Sequence, residues 1–98
     1  MDVYSSGNWL VKQGEDAEFI RRWRAFLEWT RDNAPGFKSA RLMRFANDPR
    51  RFVSFALWEN EKARTDWKTY PEFSQKLDAA RSVCDEFVGG DYTVEAVI

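Results

Sequence analysis

The spacing of apolar residues changes several times along the chain, from helical to alternating and back. Residues 15–33 predict an amphipathic helix, because their apolar side chains recur every three or four positions and Pro35 follows them. The stripe of this helix consists of Phe19, Ile20, Trp23, Phe26, Leu27 and Thr30. Residues 37–46 and 51–59 alternate instead and are rich in Phe, Val and Leu, so they predict a hairpin with its turn at residues 46–50.

Shorter elements precede the helix and follow the hairpin. A first strand is predicted over residues 3–12, although small polar residues interrupt its apolar pattern between Ser5 and Asn8. A short helix is predicted over residues 61–68, because Asn60 can cap its first turn with its side chain.

The C-terminal part predicts one more helix and one more strand. The helix is predicted over residues 71–87, since Pro71 suits a first turn and Gly89-Gly90 can end it. The alternation of residues 92–98 predicts the strand. The order is then β-α-β-β-α-β, the ferredoxin-like arrangement of one α+β domain over residues 1–98, with a four-stranded antiparallel sheet and its helices on one face.

The predicted strands carry apolar residues on both of their faces. In the second strand of the hairpin, Val53, Phe55 and Leu57 alternate with Phe52, Ala56 and Trp58. A sheet with one solvated face would show polar residues at every second position. Sheet-to-sheet packing in a homodimer is the simplest way to cover the second face.

Composition and charge limit the kinds of partner that the protein is expected to have. Aromatic residues make up 16% of the 98 residues, more than one small core needs, which points to a subunit interface, a ligand pocket or both. Charges nearly cancel, with 15 Lys and Arg against 16 Asp and Glu, so no nucleic-acid partner is expected. Neither a membrane span nor a signal peptide is recognised, so we expect no membrane partner and a cytoplasmic location.

The scarcity of His and Cys excludes several kinds of metal site and active site. The chain has no His and one Cys, which excludes His-ligated zinc or haem, a catalytic set built on His, and an intrachain disulfide. We therefore expect no metal and no cofactor. Cys84 falls on the apolar stripe of the last predicted helix, where we expect an inert, buried thiol.

Six segments resemble, in order and spacing, the antibiotic biosynthesis monooxygenase domain. They are residues 23–29, Ala34-Pro35-Gly36-Phe37, Ser39-Ala40-Arg41-Leu42, Phe52-Val53-Ser54-Phe55, residues 58–63 and Pro71-Glu72-Phe73. The resemblance covers nearly the whole chain. It implies a ferredoxin-like dimer whose sheets pair into an α/β barrel, with a pocket between helices and sheet in each subunit.

Two chemistries of this family bear on individual residues. The resemblance to cofactor-free, quinone-forming members is carried by Trp58, while Ser54, Arg64 and Leu77 stand where those members have Asn, Tyr and Arg. Arg64 could stabilise a phenolate, but it cannot act as the base. These members imply oxidation of a phenol by O2 without a cofactor.

The haem-degrading members resemble the chain at other positions. Their Asn and Trp correspond to Asn8 and Trp67, whereas their haem-ligating His corresponds to Leu77. Leu cannot ligate iron, so haem turnover by that route is not expected, although a flat aromatic could still bind. This resemblance implies that Asn8 and Trp67 face a common cavity with Leu77 on its wall.

We therefore expect a cofactor-independent monooxygenase that oxidises a small phenolic or polycyclic aromatic with O2. The expected catalytic residues are Asn8, Trp67 and Arg64, and the expected substrate-binding residues are Trp58, Ser54, Phe73 and Leu77. Asn8, Ser54 and Arg64 would supply polar groups around the anion and the incipient peroxide. One alternative is a non-catalytic binding or accessory protein for a hydrophobic metabolite. Another is a divergent relative of the haem degraders that lacks the axial His.

Structural roles also stay open for three of these residues. Asn8 could lie at a bulge or on an edge stretch, with its amide satisfied by the backbone. Trp58 could belong to the core, and Trp67 could be a packing plug instead of a pocket wall.

Overall fold

A computed structural model describes residues 2–98 and confirms the ferredoxin-like arrangement. The elements are β1 (Val3–Val11), α1 (Asp16–Asn33), β2 (Phe37–Phe45), β3 (Asp48–Trp58), α2 (Glu61–Trp67), α3 (Pro71–Arg81) and β4 (Cys84–Thr93). The four antiparallel strands form one sheet in the order β2-β3-β1-β4, and helices cover one of its faces.

The two central strands alternate between a covered face, under the helices, and an open face. Every second residue of β1, from Val3 to Val11, is buried, and the same holds in β3 from Phe52 to Trp58. The open face carries Tyr4, Ser6, Asn8 and Leu10 from β1, Val53, Phe55 and Leu57 from β3, and Val88 and Tyr92 from β4. Both faces are apolar, as the sequence predicts.

Helix α1 packs with its predicted stripe against the covered face. Five of the six stripe residues are buried, and Ile20 is partly buried against the same core. Phe19 is completely buried between the rings of Trp9 and Phe52, with both ring centroids 5.1 Å away. These contacts close one end of the covered face.

Three buried Trp side chains in this core have their indole N–H groups satisfied by small hydroxyls. The bonds run from Trp9 Nε1 to Ser54 Oγ (3.0 Å), from Trp58 Nε1 to Ser5 Oγ (3.1 Å) and from Trp67 Nε1 to Thr30 Oγ1 (2.9 Å). A buried N–H without a partner would cost roughly 1–3 kcal/mol. The hydroxyls therefore also fix the orientation of each indole.

The predicted boundaries are wrong at the C-terminal end. The last helix ends at Arg81 instead of residue 87, and the last strand runs from Cys84 to Thr93 instead of over residues 92–98. Gly89 and Gly90, which were expected to end the helix, lie inside this strand opposite β1. The tertiary pairing with β1 decides the conformation here, since local sequence alone favoured a longer helix.

The hairpin turn is also shorter than predicted. Phe45 pairs with Asp48, so Ala46 and Asn47 alone form the turn, and Pro49 lies within the strand. The side chain of Asp48 accepts a hydrogen bond from the backbone N–H of Arg50 at 3.1 Å, which supports the start of β3. Within residues 2–98, no helix is long and apolar enough to cross a membrane.

Candidate functional site

A cavity of about 340 Å³ lies between the covered face and the helices. Its walls are mostly aromatic and come from all three helices and from β4: Trp23, Phe26, Leu27, Trp67, Phe73, Leu77 and Phe87. Its floor consists of small residues of the sheet: Ser5, Gly7, Ser54, Ala56 and Gly89. This size and lining are typical of a site for a small, largely apolar ligand.

Three neighbouring strands place small residues side by side on the floor of the cavity. Gly7 of β1 lies opposite Ser54 of β3 and opposite Gly89 of β4. The Trp9 indole folds back over Gly7, where an added Cβ would lie 2.7 Å from its Nε1 atom. Gly7 therefore has a steric reason to be glycine, because it makes room for an indole that itself lines the cavity.

The wall opposite the floor offers a stack of rings to a flat ligand. The Trp67 indole lies nearly parallel to the Phe26 ring, at 5.6 Å and 15°. Phe73 meets the same indole edge-on, at 4.7 Å and 78°. Offset and edge-to-face contacts of this kind are the preferred geometries of aromatic rings, so the wall is a well-packed aromatic cluster.

Two hydroxyls on the floor have a proton left to donate. Ser5 and Ser54 each accept a bond from an indole N–H, and within residues 2–98 neither hydroxyl donates to a protein acceptor. A hydroxyl has one donor and two acceptor positions. Both residues line the cavity, so their protons are available to an oxygen atom of a ligand.

The ionisable residues of the cavity lie at its mouth. Among the lining residues only Lys68 and Asp91 are ionisable, and Lys68 Nζ lies 2.5 Å from Asp91 Oδ2. Asp91 pairs with Ser5 across β1 and β4, so its carboxylate lies beside the floor. Arg64 Nε lies 3.7 Å from the other carboxylate oxygen.

Four of the residues expected in the site line this cavity. They are Ser54 on the floor, Trp67 on the wall from α2, and Phe73 and Leu77 on the wall from α3. Leu77 faces the cavity one turn after Phe73, as the helical spacing predicts. Their roles toward a ligand stay predictions.

The prediction that Asn8 and Trp67 share a cavity is wrong. Asn8 lies on the open face, where it pairs with Val53 and Val88, while Trp67 packs on the covered face. Strand residues alternate strictly between faces, and Gly7 and Trp9 occupy the covered positions on either side of Asn8. Asn8 thus has no access to the cavity from within its own chain.

Trp58 and Arg64 also lie outside the residues that line the cavity. Trp58 is completely buried behind Trp67, with ring centroids 4.8 Å apart, so it supports the wall and does not form it. Arg64 Nη1 donates to the backbone carbonyls of Tyr4 (3.0 Å) and Tyr92 (3.1 Å). Those two bonds tie α2 to the sheet and turn the guanidinium away from the cavity.

Lys68, Asp91 and Ser5 are members of the site that the sequence does not single out. Asp91 falls between the predicted helix of residues 71–87 and the predicted strand of residues 92–98, so neither pattern includes it. Lys68 follows α2 directly and has no distinguishing neighbour in the sequence. The parity of β1 could have found Ser5, since it shares a face with Trp9.

Cys84, the single cysteine of the chain, does not line the cavity. Burial, followed by the nearby Asp85 charge, raises the pKa of Cys84 to about 11. Its Sγ contacts the Ala80 carbonyl at 3.5 Å, so the thiol is protonated and unreactive at neutral pH. Among the described residues, no three of the types His, Cys, Asp and Glu come together as metal ligands.

A second hollow, of about 520 Å³, is a groove on the open face. It is lined by Tyr4, Phe55, Leu57, Tyr92 and residues of the sheet edges. Its rings meet edge-on, with Tyr4 and Phe55 centroids 6.3 Å apart. The groove is larger than the cavity, and its lining belongs to the face that the helices leave uncovered.

The geometry has counterparts in proteins of known structure. The profile of the antibiotic biosynthesis monooxygenase family matches residues 4–77. The structure is similar to that of SnoaB from Streptomyces nogalater, a cofactor-independent oxygenase, with a TM-score of 0.88 and 22% identity over 99% of this chain and 96% of SnoaB. A conserved protein from Methanosarcina mazei Go1 has a TM-score of 0.84 and 14% identity over 97% of this chain and 94% of its own. No curated protein matches the chain significantly.

Proposed function

Because the chain belongs to the antibiotic biosynthesis monooxygenase family, we propose that it is a cofactor-independent monooxygenase that oxidises a small phenolic or polycyclic aromatic with O2. The observation that supports this most is the aromatic-walled cavity with two hydroxyl donors on its floor. The wall binds the ring system, and the hydroxyls bind its oxygen. Similarity to SnoaB supports the same class of reaction.

The reaction balances without a bound cofactor. A ring CH beside a phenol, or a CH2 of an anthrone, becomes C=O as one atom of O2 enters, and the other oxygen leaves as water with the two hydrogens. The substrate supplies all four electrons. The protein's task is to hold the ionised substrate and to stabilise negative charge on the oxygen atoms, which fixed hydrogen-bond donors do well in a dry site.

Ser5 and Ser54 are the proposed donors toward the substrate oxygen. They are diagonal neighbours on the covered face, because Gly7 pairs with Ser54 and Ser5 pairs with Ala56. Their own acceptor positions are engaged by Trp58 and Trp9, which orients their protons. Trp67, Phe73 and Leu77 are the proposed binding residues for the rings.

O2 uptake in the presence of anthrones and naphthols tests the function, with quinone formation followed by absorbance. We expect uptake above the protein-free rate, and about a tenfold or larger loss of rate in Ser54→Ala, since removing one donor to a developing oxyanion costs that much or more. Ser74→Ala, on the exposed side of α3, is the matched control and should keep the rate. Uptake that no substrate raises, or that Ser54→Ala leaves unchanged, would refute the proposal.

A non-catalytic binding protein for a hydrophobic metabolite is the second candidate function. It is favoured by the departures at the positions where quinone-forming relatives have Asn, Tyr and Arg, which here are Ser54, Arg64 and Leu77. Ligand binding without O2 uptake would support it. Haem turnover by the route of the haem degraders is not proposed, because Leu77 stands on the cavity wall in place of their His.

A homodimer paired through the open faces is also proposed. Within the described chain no element covers this face, and Met43, Val88 and Tyr92 are 45%, 65% and 49% exposed. A contiguous apolar surface of this kind is typical of an interface. An interface larger than roughly 2,000 Å² in total is expected for an obligate dimer of this kind.

A further inference from the structure

The charged mouth of the cavity holds more positive than negative charge. Asp91 is shared between Lys68, whose Nζ lies 2.5 Å from one oxygen, and Arg64, whose Nε lies 3.7 Å from the other. Two cations thus face one carboxylate, so the cluster has a net charge of +1. Lys68 and Asp91 line the cavity directly, and Arg64 lies behind them.

Lys68 has hydrogen-bonding capacity left for a ligand. Its ammonium group has three N–H donors, and within residues 2–98 Asp91 is its one acceptor. Arg64, in contrast, is committed to two backbone carbonyls and is only 12% exposed at its side chain. A ligand at the mouth therefore meets Lys68 as the one cation that can turn toward it.

The floor places further donors next to this cation. Asp91 lies opposite Ser5, and Ser54 is the diagonal neighbour of Ser5 on the same face. Both hydroxyls have a proton free for a ligand oxygen, so a ligand between Lys68 and the floor would be surrounded by donors. Asp91 is the single carboxylate there, and it would repel a negatively charged oxygen.

We propose that the cavity selects aromatic ligands that carry a negatively charged oxygen, with Lys68 as the specificity-determining cation and Asp91 as its competing partner. The proposal rests on the proposed function and deepens it, since it assigns the residues that select the charge of the bound substrate. Lys68 and Asp91 then act on the ligand in opposite directions. Removing the cation weakens binding of an anion, and removing the carboxylate strengthens it.

Two probes of the same shape and different charge test this selection. Binding of 1-naphthoate and of the neutral 1-naphthamide is measured by titration calorimetry at low ionic strength. We expect the wild-type chain to bind the anion about fivefold more tightly, the size typical of a part-exposed ion pair. Lys68→Gln should bring this ratio close to one, and Asp91→Asn should raise it. High salt should lower it in the wild-type chain.

Lys62→Gln is the matched control, because Lys62 lies on α2, is 83% exposed and pairs with Asp66 away from the cavity. It should keep the wild-type ratio. The proposal is overturned if neither probe binds, if the wild-type ratio is one, if Lys68→Gln keeps the preference, or if Asp91→Asn loses it. Circular dichroism of each variant checks that it folds.

The outcome is separable from that of the oxidation. A charge preference without O2 uptake would refute the monooxygenase function and support Lys68 as an anion-binding residue. O2 uptake without a charge preference would refute the role of Lys68 and leave the oxidation supported.

Discussion

On the covered face, Gly7, Ser54 and Gly89 form a patch of small residues at the centre of the sheet, bordered by large buried side chains such as Trp9. The open face carries the large side chains of Tyr4 and Phe55, which no element of the described chain covers. The two faces thus differ in how their apolar surface is left incomplete.

This difference separates two uses of apolar surface. Small residues beneath a helix leave a hollow that the chain does not fill, and a ligand can complete it. Large residues on an uncovered face leave a surface that a second protein can complete. The two faces therefore call for different kinds of partner, and each of the following variants tests one face against the other.

The largest expected effect comes from Trp67 on the covered face. Trp67→Ala removes an indole that is 6% exposed, packs on Phe26, Trp58 and Phe73, and donates to Thr30. We expect a loss of about 3–5 kcal/mol in the free energy of unfolding, measured by urea denaturation. Trp67→Phe keeps a ring, so its free energy of unfolding should fall clearly less. A loss below about 1 kcal/mol in Trp67→Ala would show that the wall is not part of the core.

A charge on the open face should act on assembly instead of folding. Phe55→Lys places an ammonium group in the middle of the proposed interface, and we expect the dimer to weaken by about a hundredfold, or roughly 2.7 kcal/mol. Light scattering at micromolar concentration measures this. Ala25→Lys, on the exposed side of α1, is the control and should leave assembly unchanged. A wild-type chain that is folded and monomeric at that concentration would contradict the pairing of open faces.

A matched pair of glycines compares the two faces directly. An added Cβ at Gly7 would lie 2.7 Å from the Trp9 indole, and at Gly90 it would lie 2.7 Å from the Tyr92 hydroxyl. Trp9 is 2% exposed and bonded to Ser54, so it cannot move freely, whereas Tyr92 is 49% exposed in the single chain and is approached only at the hydroxyl end of its side chain.

We therefore expect Gly7→Ala to destabilise the fold by about 1–3 kcal/mol, as overpacking does. Gly90→Ala should be near neutral. The small shift of the Tyr92 side chain is offset because Ala lowers the conformational entropy of the unfolded chain. Thermal unfolding of both variants measures the difference. Equal effects at the two sites would mean that the covered face is as adaptable as the open one.

The sequence predicted the fold well, because period-2 and helical apolar patterns are direct consequences of burial. The helix of residues 15–33 and the strands around Val53 follow from side-chain type alone. The end of the last helix could not be predicted, since Gly89 and Gly90 look like a helix stop locally. They lie in a strand because β4 pairs with the edge of β1 that β3 leaves free, and because the Phe87 ring packs above Gly89.

The site was predicted only in part, for a geometric reason. The resemblance to the haem-degrading members points to Trp67 and Leu77, and both line the cavity, where Leu77 lies one helical turn after Phe73. The same resemblance points to Asn8, which lies on the open face, one position away from Gly7 and Trp9, because neighbouring positions of a strand face opposite sides of the sheet. Lys68 and Asp91 meet only in three dimensions, 23 residues apart, and no local pattern marks either residue.

The smallest expected effect concerns what holds the helices over the covered face. Arg22 donates to the Ala79 carbonyl and the Ser82 hydroxyl at the end of α3, and Glu18 positions it through a 2.6 Å ion pair. Hydrogen bonds from Arg21 and Arg22 lower the pKa of Glu18 to about 2. A lowered pKa means that this carboxylate stabilises the folded chain above its unfolded value of about 4.5, and that the contribution fades as the pH falls toward 2.

Glu18→Gln should therefore lower the melting temperature slightly at pH 7, and the difference from the wild-type chain should shrink from about pH 4.5 downward and be nearly gone at about pH 2. The effect is small because the pair is exposed to solvent, which screens it. Melting curves of the two proteins across this pH range measure it. A difference that persists undiminished at the lowest pH would mean that Glu18 supports the covered face by packing and not by its charge.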